Sequence, residues 1–174
     1  YVNLGTDLKS FASCLVYSTD DTWQSLAAGD HIAYAMTACS AGIGSHIKTR
    51  SLGDPVRNGL IQHQGKLPYY RALVGAINAN LQNGRGGAAT VHYTAFDPEV
   101  EVIQKLKNPM TPEAKRVRGI DYSFGGNKFL ARKAAKDEEI ALFSYKDNPE
   151  LYEAMYSKDE NEFEKLYNAY LLTS

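Results

Sequence analysis

Segments with a strand pattern and segments with a helix pattern alternate along this chain of 174 residues. This alternation limits the fold more than any other feature, because strands separated by helices favour an α/β sheet with parallel neighbours. Runs rich in Val, Ile, Tyr and Phe predict strands at residues 10–17, 88–96, 121–124 and 140–144. If this sheet belongs to a barrel, it forms about half of one, and its open edge needs a further segment or chain to cover it.

Helices are predicted between and after these strands, from the spacing of apolar residues and from capping residues. Asp21 and Thr22 supply the predicted N-terminal cap of the first helix. Gly42 and Gly44 are expected to break the chain after it, and residues 45–60 are expected to form a loop. The predicted helices are residues 23–39, 68–82, 98–107, 127–136 and 149–172, the last as one or two helices.

Composition and charge exclude several classes of protein. Lys and Arg number 19 against 20 Asp and Glu, and no basic stripe is present, so we expect no nucleic-acid partner. No apolar run approaches the roughly 20 residues of a membrane span, so we expect no membrane association. Two cysteines without a CxxC spacing do not make a disulfide scaffold and favour a reducing, cytoplasmic setting. The four histidines show no metal-ligand spacing, so we predict no metal site and place each histidine at the surface or at a helix end.

Cys14 lies in the first predicted strand, within the run SFASCLVY. A cysteine among Leu, Val and Phe is most often a small buried apolar residue. The alternative is a redox thiol, beside which Ser13 offers a hydroxyl and an N–H to a phosphate or a sugar. Cys39, near the end of the first helix, is interpreted as structural. The residues alone leave both interpretations of Cys14 open.

Three later motifs are rich in turn-forming residues. Residues 41–44 read AGIG, which alone indicates a helix stop and a turn. Residues 50–57 read RSLGDPVR, which alone is typical of an exposed turn with two solvated arginines. Residues 82–90 read QNGRGGAAT, which is not a P-loop because no Gly-Lys-Ser/Thr follows, and which alone indicates a flexible turn.

Together, the Ser-Cys pair at residues 13–14 and these motifs resemble the large subunit of class I ribonucleotide reductase, and the resemblance runs along nearly the whole chain. It implies an α/β fold that is the first half of a ten-stranded barrel, completed by another segment or chain. Residues 1–174 would then be a single domain that is incomplete alone. The implied function is that of part of a ribonucleoside-diphosphate reductase, which makes deoxyribonucleotides for DNA replication by radical chemistry.

The resemblance also implies roles for individual residues. Cys14 would be one of two cysteines that reduce the ribose 2′ position and become a disulfide. Ser13, Ala41 and Gly42 would shape the substrate site with it, through backbone that approaches the substrate closely. The implied residues of the allosteric effector site are Asp21, Thr22, Trp23, Arg50 and Arg57, and those of the second specificity loop, between effector and substrate, are Gln82 and Arg85.

The family's active site needs further parts that have no match in this sequence, among them the cysteine that becomes a thiyl radical and the second reductive cysteine. We therefore expect a split large subunit that is inactive as this chain alone, with a second polypeptide carrying the rest of the barrel. The resemblance further implies a ribonucleotide substrate, a metal-containing small subunit that generates the radical, an external dithiol of the thioredoxin or glutaredoxin type, and Mg²⁺ with a dNTP or ATP effector. Self-association is expected through the helices at residues 22–39 and 68–82.

Two other functions stay open. The first is a non-catalytic module that binds deoxynucleoside triphosphates with Mg²⁺, dimerises and gates a partner. The second is an isolated α/β domain without redox activity. A disulfide between Cys14 and a partner cysteine, formed after one turnover without external reductant, separates an enzyme fragment from a sensor.

Overall fold

The computed structural model describes residues 5, 7, 13–80, 87–157 and 159–173. Within these residues the strands are β1 (Cys14–Ser18), β2 (Gly42–His46), β3 (Pro55–Val56), β4 (Ile61–Gln62), β5 (Ala89–Thr94) and β6 (Asp121–Gly125). The α-helices are α1 (Trp23–Ala38), α2 (Leu67–Asn78), α3 (Val100–Gln104), α4 (Lys128–Ala135), α5 (Pro149–Ala154) and α6 (Glu160–Leu171), and a short 3-10 helix spans Glu113–Lys115. No helix in this part of the chain is both long and apolar enough to cross a lipid bilayer.

Four strands form a parallel sheet in the order β1-β2-β5-β6, and β3 pairs with β4 as a separate antiparallel hairpin. The register of the sheet aligns Cys14 with Gly42 and Gly44 with Thr90. Each connection between neighbouring strands contains a helix, because parallel strands need a crossover. This topology confirms the predicted α/β class with parallel neighbours, and it is consistent with part of a barrel.

The two faces of the sheet differ. On one face, α1 and α2 pack over a core of buried apolar residues that includes Ile43, Leu73, Ile77 and Val91. Side chains that point to the other face are exposed along β1: Cys14 is exposed, and Val16 keeps 81% of its surface accessible. Successive side chains of a strand point to opposite faces, so burial alternates along β1. We call the second face the helix-free face because α1 and α2 lie on the other side; towards the ends of β2 and β5, Tyr152 of α5 and Tyr156 contact it.

A second core of aromatic residues begins just after β5. The ring of Phe96 stacks on Phe143 with centroids 5.4 Å apart and lies 5.3 Å from Phe163. Residues of α4, α5 and α6 complete this cluster, among them Phe129, Leu151 and Tyr167. The cluster therefore holds the C-terminal helices against the chain that leaves the sheet at β5.

Two predicted segments are wrong, and a third is wrong in part. Residues 42–46, expected as a helix break and the start of a loop, form an interior strand, because pairing on both sides stabilises a segment whose glycines disfavour strands. Residues 140–144, expected as a strand, do not join the sheet. Phe143 there donates its N–H to the carbonyl of Phe96 at 2.9 Å and buries its ring in the aromatic cluster. The loop expected at residues 45–60 contains β3 of the hairpin. Where the structure describes them, the other predicted strands and helices are confirmed with shifted ends.

Candidate functional site

Cys14 opens β1 and presents its thiol on the helix-free face, so its interpretation as a buried core residue is wrong. Across the sheet stands Gly42, at which a β-carbon would lie 3.4 Å from the Cys14 sulfur. The N–H of Gly42 donates to the carbonyl of Ser13 at 2.8 Å, and the N–H of Ile43 donates to the carbonyl of Ala88 at 2.9 Å. The thiol therefore lies next to main chain whose hydrogen bonds are already made within the sheet.

The residues predicted to shape the substrate site meet at this end of the sheet. Ser13 and Cys14 are exposed, and Gly42 lies beside them in the next strand. The side chain of Ala41 is buried, and its N–H donates to the carbonyl of Met36 at 3.0 Å. Any contact between Ala41 and a ligand is therefore limited to its backbone.

The predicted effector residues surround a separate cavity of about 410 Å³ at the start of α1. Asp21 accepts hydrogen bonds from the backbone N–H and from Nε of Arg50, at 2.9 and 2.7 Å. Arg50 also donates from Nη1 to the carbonyl of Pro55 at 2.8 Å. All the predicted effector residues line this effector cavity together with Tyr69: Asp21, Thr22, Trp23, Arg50 and Arg57.

The chemistry of the effector cavity suits an anionic ligand with a flat ring. Arg57 can bind phosphate oxygens in bidentate geometry, and Arg50 can offer N–H groups beyond the two that donate to Asp21 and Pro55. Trp23 keeps 75% of its surface accessible, and Tyr69 stacks on His63 with centroids 5.7 Å apart, so flat apolar surfaces flank the arginines. These are groups that bind a ligand rather than groups that transform one.

Gln82 and Arg85 lie outside the described residues. Gly87 is the next described residue, and its N–H donates to the carbonyl of Ile77 at 3.3 Å. A β-carbon on Gly87 would lie 2.6 Å from that carbonyl oxygen, so a side chain at this position would force a shift of backbone. The chain that leads into β5 is thereby tied to the end of α2.

Sequence reasoning missed a cluster of His and Tyr side chains further along the sheet. His46 Nε2 lies 2.9 Å from the hydroxyl of Tyr152 and 3.4 Å from that of Tyr156, and His92 Nε2 lies 3.0 Å from the Tyr156 hydroxyl. Burial, followed by repulsion from His92, lowers the pKa of His46 to about 3. Burial also lowers the pKa of His92. Both imidazoles are therefore neutral at pH 7, and the prediction of a surface or helix-end position is wrong for these two histidines.

This cluster borders a concavity of about 620 Å³ on the helix-free face, lined by Val16, Ser18, Gly44, His46, Thr90 and His92. The strand period could have indicated that the two histidines are neighbours. Each lies two positions after Gly44 or Thr90, which are register partners, and residues two apart in a strand share a face. The tyrosines carry no such signal, because the His92–Tyr156 contact spans 64 residues and the His46–Tyr152 contact spans 106.

Neither cysteine forms a disulfide; Cys39 lies half-buried just after α1. Among the residues that the structure describes, no group of three or more His, Cys, Asp or Glu side chains is placed to hold a metal ion.

A family model described as ribonucleotide reductase, barrel domain, matches residues 12–173. The chain belongs to this family. The ribonucleoside-diphosphate reductase 1 subunit alpha of Escherichia coli is 38% identical to it over 167 residues, which are 95% of this chain and 22% of the relative. The ribonucleoside-diphosphate reductase subunit alpha of Haemophilus influenzae is 37% identical over 167 residues, with the same shares of 95% and 22%. The chain thus spans about a fifth of the length of these curated relatives.

Membership of the ribonucleotide reductase barrel family confirms the resemblance drawn from the Ser-Cys pair and the later motifs. The parallel strands with their crossover helices are accordingly part of the α/β barrel domain of that family. The roles of Cys14, of the residues around the effector cavity, and of Gln82 and Arg85 stay predictions.

Proposed function

We propose that this chain is part of the catalytic barrel of a ribonucleoside-diphosphate reductase, an oxidoreductase that converts ribonucleotides to deoxyribonucleotides. One observation supports this proposal most. In a chain of the ribonucleotide reductase family, the Cys14 thiol is exposed on the helix-free face, beside the bare backbone of Gly42. A sugar placed against that backbone would meet the sulfur with no side chain of Gly42 between them.

Cys14 is proposed to act as one of two reductive thiols. Loss of the ribose 2′ hydroxyl as water consumes two electrons and two protons, and a dithiol supplies both when it closes to a disulfide. A partner cysteine outside this sequence provides the second thiol, and an external dithiol of the thioredoxin or glutaredoxin type regenerates the pair by exchange. The radical comes from a separate metal-containing subunit, and no residue of this chain is assigned to its generation.

The effector cavity is proposed to bind a deoxynucleoside triphosphate or ATP together with Mg²⁺. Arg50 and Arg57 would bind phosphate oxygens, because a guanidinium presents parallel N–H donors to them. Asp21 would contact the sugar, with Thr22 and Trp23 beside it. The cavity lies on the helix-covered side of the chain at the start of α1, whereas Cys14 is on the helix-free face. Effector and substrate are therefore proposed to occupy separate places.

The specificity loop that contains Gln82 and Arg85 is proposed to couple these two places. An arginine flanked by glycines can change partners when one ligand binds, which coupling between two sites requires. In sequence this loop lies between α2 and β5, whose neighbour β2 carries Gly42.

The rest of the barrel is proposed to come from outside this sequence, on a second polypeptide in the split-subunit prediction. Within the described residues, β1 and β6 each pair on one side only, and edges of parallel sheets are normally covered. Self-association through α1 and α2 is proposed as well, because α1 exposes the large side chains of Trp23 and Tyr34.

The test uses the assembled enzyme, purified through a tag on this chain and weighed by native mass spectrometry. Reduction of ribonucleoside diphosphates is compared between the wild type, Cys14→Ser and the matched control Cys39→Ser. We expect Cys14→Ser to abolish product formation while deoxynucleotide binding persists, and Cys39→Ser to turn over. Loss of effector binding together with turnover in Cys14→Ser would contradict the separate roles of thiol and effector cavity.

A second candidate function is the non-catalytic sensor of deoxynucleoside triphosphates. It is favoured by the effector cavity, all of whose predicted residues belong to this chain. A homodimer that binds deoxynucleotide, carries no barrel-completing partner, and forms no disulfide at Cys14 would favour the sensor over the enzyme.

A further inference from the structure

One buried carboxylate outside the cavities contacts the segment that carries both cavity arginines. Glu99 lies just before α3, is 7% exposed, and accepts hydrogen bonds from two distant backbone N–H groups. Its Oε2 accepts from Leu52 at 3.2 Å, and its Oε1 accepts from Lys66 at 3.1 Å. A single carboxylate therefore joins two points of the chain that have the whole β3–β4 hairpin between them.

This hairpin is the element that presents the arginines. Arg57 lies in its turn, and Arg50 lies just ahead of its base. Two backbone hydrogen bonds close the base: Gly53 donates to the carbonyl of His63 at 2.9 Å, and His63 donates to the carbonyl of Asp54 at 2.8 Å. Leu52 precedes the hairpin in the chain, and Lys66 follows it as the N-cap residue of α2. Glu99 thus fixes both chains at the base of the hairpin from the side of the sheet.

A buried cation is shared between this carboxylate and a second one. Lys66 is 3% exposed, and its Nζ lies 2.8 Å from Oδ2 of Asp97 and 3.8 Å from Oε2 of Glu99. Asp97 accepts a hydrogen bond from the N–H of Glu99 through its other oxygen at 2.9 Å. Removing Lys66 would leave two buried carboxylates without their cation, so the three side chains act as one unit.

The backbone fits closely around this unit. Gly65 adopts a φ of +76°, a conformation that favours glycine, and a β-carbon there would overlap Oε1 of Glu99. The carboxylate therefore occupies the space that a side chain at residue 65 would need. The fit leaves Glu99 little freedom to move relative to the start of α2.

We propose that Glu99, held by Lys66 and Asp97, is a positioning residue for the effector cavity. Its carboxylate sets the place of the β3–β4 hairpin, and so of Arg57, relative to α2, whose Tyr69 lines the same cavity. The ligand it serves is a deoxynucleoside triphosphate with Mg²⁺, and for that identity the inference rests on the proposed function. Glu99 acts through the hairpin and does not line the cavity.

The experiment compares Glu99→Gln with the matched control Glu101→Gln in the full reductase. Glutamine keeps the size of Glu99 but accepts from only one of the two N–H groups, and its amide N–H₂ faces the other as a second donor. Glu101 lies two residues further along, in α3, with 84% of its side chain exposed. Binding of Mg²⁺-dTTP, Mg²⁺-dGTP and Mg²⁺-dATP is measured by equilibrium dialysis, together with turnover as a function of effector concentration.

We expect Glu99→Gln to raise the effector Kd about tenfold, since a hydrogen bond to a charged group that fixes the hairpin is lost. Turnover should recover at saturating effector, which a merely structural defect would not allow. Glu101→Gln should bind effector like the wild type. Wild-type affinity in Glu99→Gln, or a loss of turnover that effector does not restore, overturns the inference alone. Absence of deoxynucleotide binding in the wild type overturns the proposed effector function, and the inference with it.

A second variant decides the matter if Glu99→Gln does not fold. In Asp97→Asn, Lys66 keeps Glu99 as its one carboxylate partner among the described residues, which draws that carboxylate away from Leu52. We expect the effector Kd to rise roughly threefold through this weaker bond. An unchanged Kd in folded Asp97→Asn then overturns the inference.

Discussion

The sulfur of Cys14 lies 3.4 Å from the point where a β-carbon of Gly42 would stand. The two residues are register partners on β1 and β2, so the missing side chain leaves clear the space beside the thiol. One methyl group is enough to occupy that space. The thiol can therefore be obstructed without being removed.

Gly42→Ala should lower ribonucleotide reduction roughly ten- to hundredfold, because the added methyl displaces a substrate from the sulfur by about a methyl radius. The fold should persist, since the β-carbon meets its nearest atoms at 3.4 Å or more. The matched control is Gly44→Ala on the same face of β2, whose β-carbon would lie 3.2 Å from Val16 instead. Steady-state kinetics of the assembled enzyme check this, and equal losses in both variants would contradict it.

Asp21→Asn should weaken effector binding and lower the free energy of unfolding by about 1 kcal/mol, since an amide keeps one of the two acceptor oxygens and loses the charge pairing with Arg50. Equilibrium dialysis with Mg²⁺-dTTP, Mg²⁺-dGTP and Mg²⁺-dATP and urea unfolding provide the two readings. Glu113→Gln is the control, because it removes an exposed ion pair with Arg118 that lies outside the effector cavity. Binding unchanged in Asp21→Asn would place the effector elsewhere.

The chain should lose stability in mild acid, partly through His46. Burial lowers the pKa of folded His46 to about 3, against an ordinary value of 6.5. The unfolded state therefore takes up this proton first, and the stability present above pH 6.5 falls as the pH drops from there towards 3. The slope contributed by one such group is at most about 1.4 kcal/mol per pH unit.

His46→Gln should flatten this dependence, because glutamine retains a hydrogen-bond acceptor and does not titrate. Urea unfolding at several pH values between 7 and 4 measures the effect. His31→Gln, at an exposed position of α1, is the matched control. Identical slopes for His46→Gln and the wild type would show that folding does not lower the pKa of His46.

Two glycines, one inside helix α2 and one bonded to its last turn, should respond to alanine in opposite directions. Gly87→Ala should destabilise the fold by about 1–3 kcal/mol, because the β-carbon would lie 2.6 Å from the carbonyl oxygen of Ile77. Gly75→Ala, inside α2 with no atom within 4 Å of the new β-carbon, should stabilise it by about 0.5–1 kcal/mol. Thermal unfolding of the purified chain decides the signs, and a neutral Gly87→Ala would mean that this segment shifts easily.

The parts of the fold that the sequence predicted depend on local signals. Thr22 caps α1 through a bond from the N–H of Ser25, and Asn127 caps α4, as capping residues before apolar runs indicate. The strand at residues 42–46 could not be predicted locally, because its glycines favour a turn and only the neighbours on both sides make it a strand. Ile140 to Ser144 has strand composition, but the aromatic cluster takes Phe143.

For the candidate site too, some residues could be predicted from the sequence and others could not. Cys14 and the motif arginines were found through resemblance, and the structure brings Asp21 and Arg50 together across 29 residues. The contacts of Glu99 with Leu52 and Lys66 span 47 and 33 residues and follow no periodic pattern. The His46–Tyr152 contact is longer still. Such pairs depend on how the elements pack, which local propensity does not specify.

One face of the sheet is covered by α1 and α2 and the other is exposed in this part of the chain. Strand residues that point to the two faces therefore differ in how freely they can be substituted. Side chains under α1 and α2 must keep their volume, because any change there is felt across a close-packed core. Positions that alternate with them, such as Cys14 and Val16, carry no such restriction within this part of the chain. Substitutions at these alternate positions of β1 should therefore change the chemistry of the helix-free face while the strand stays in place. The same strand thus keeps the groups that hold the fold apart from the groups that the proposed reaction uses.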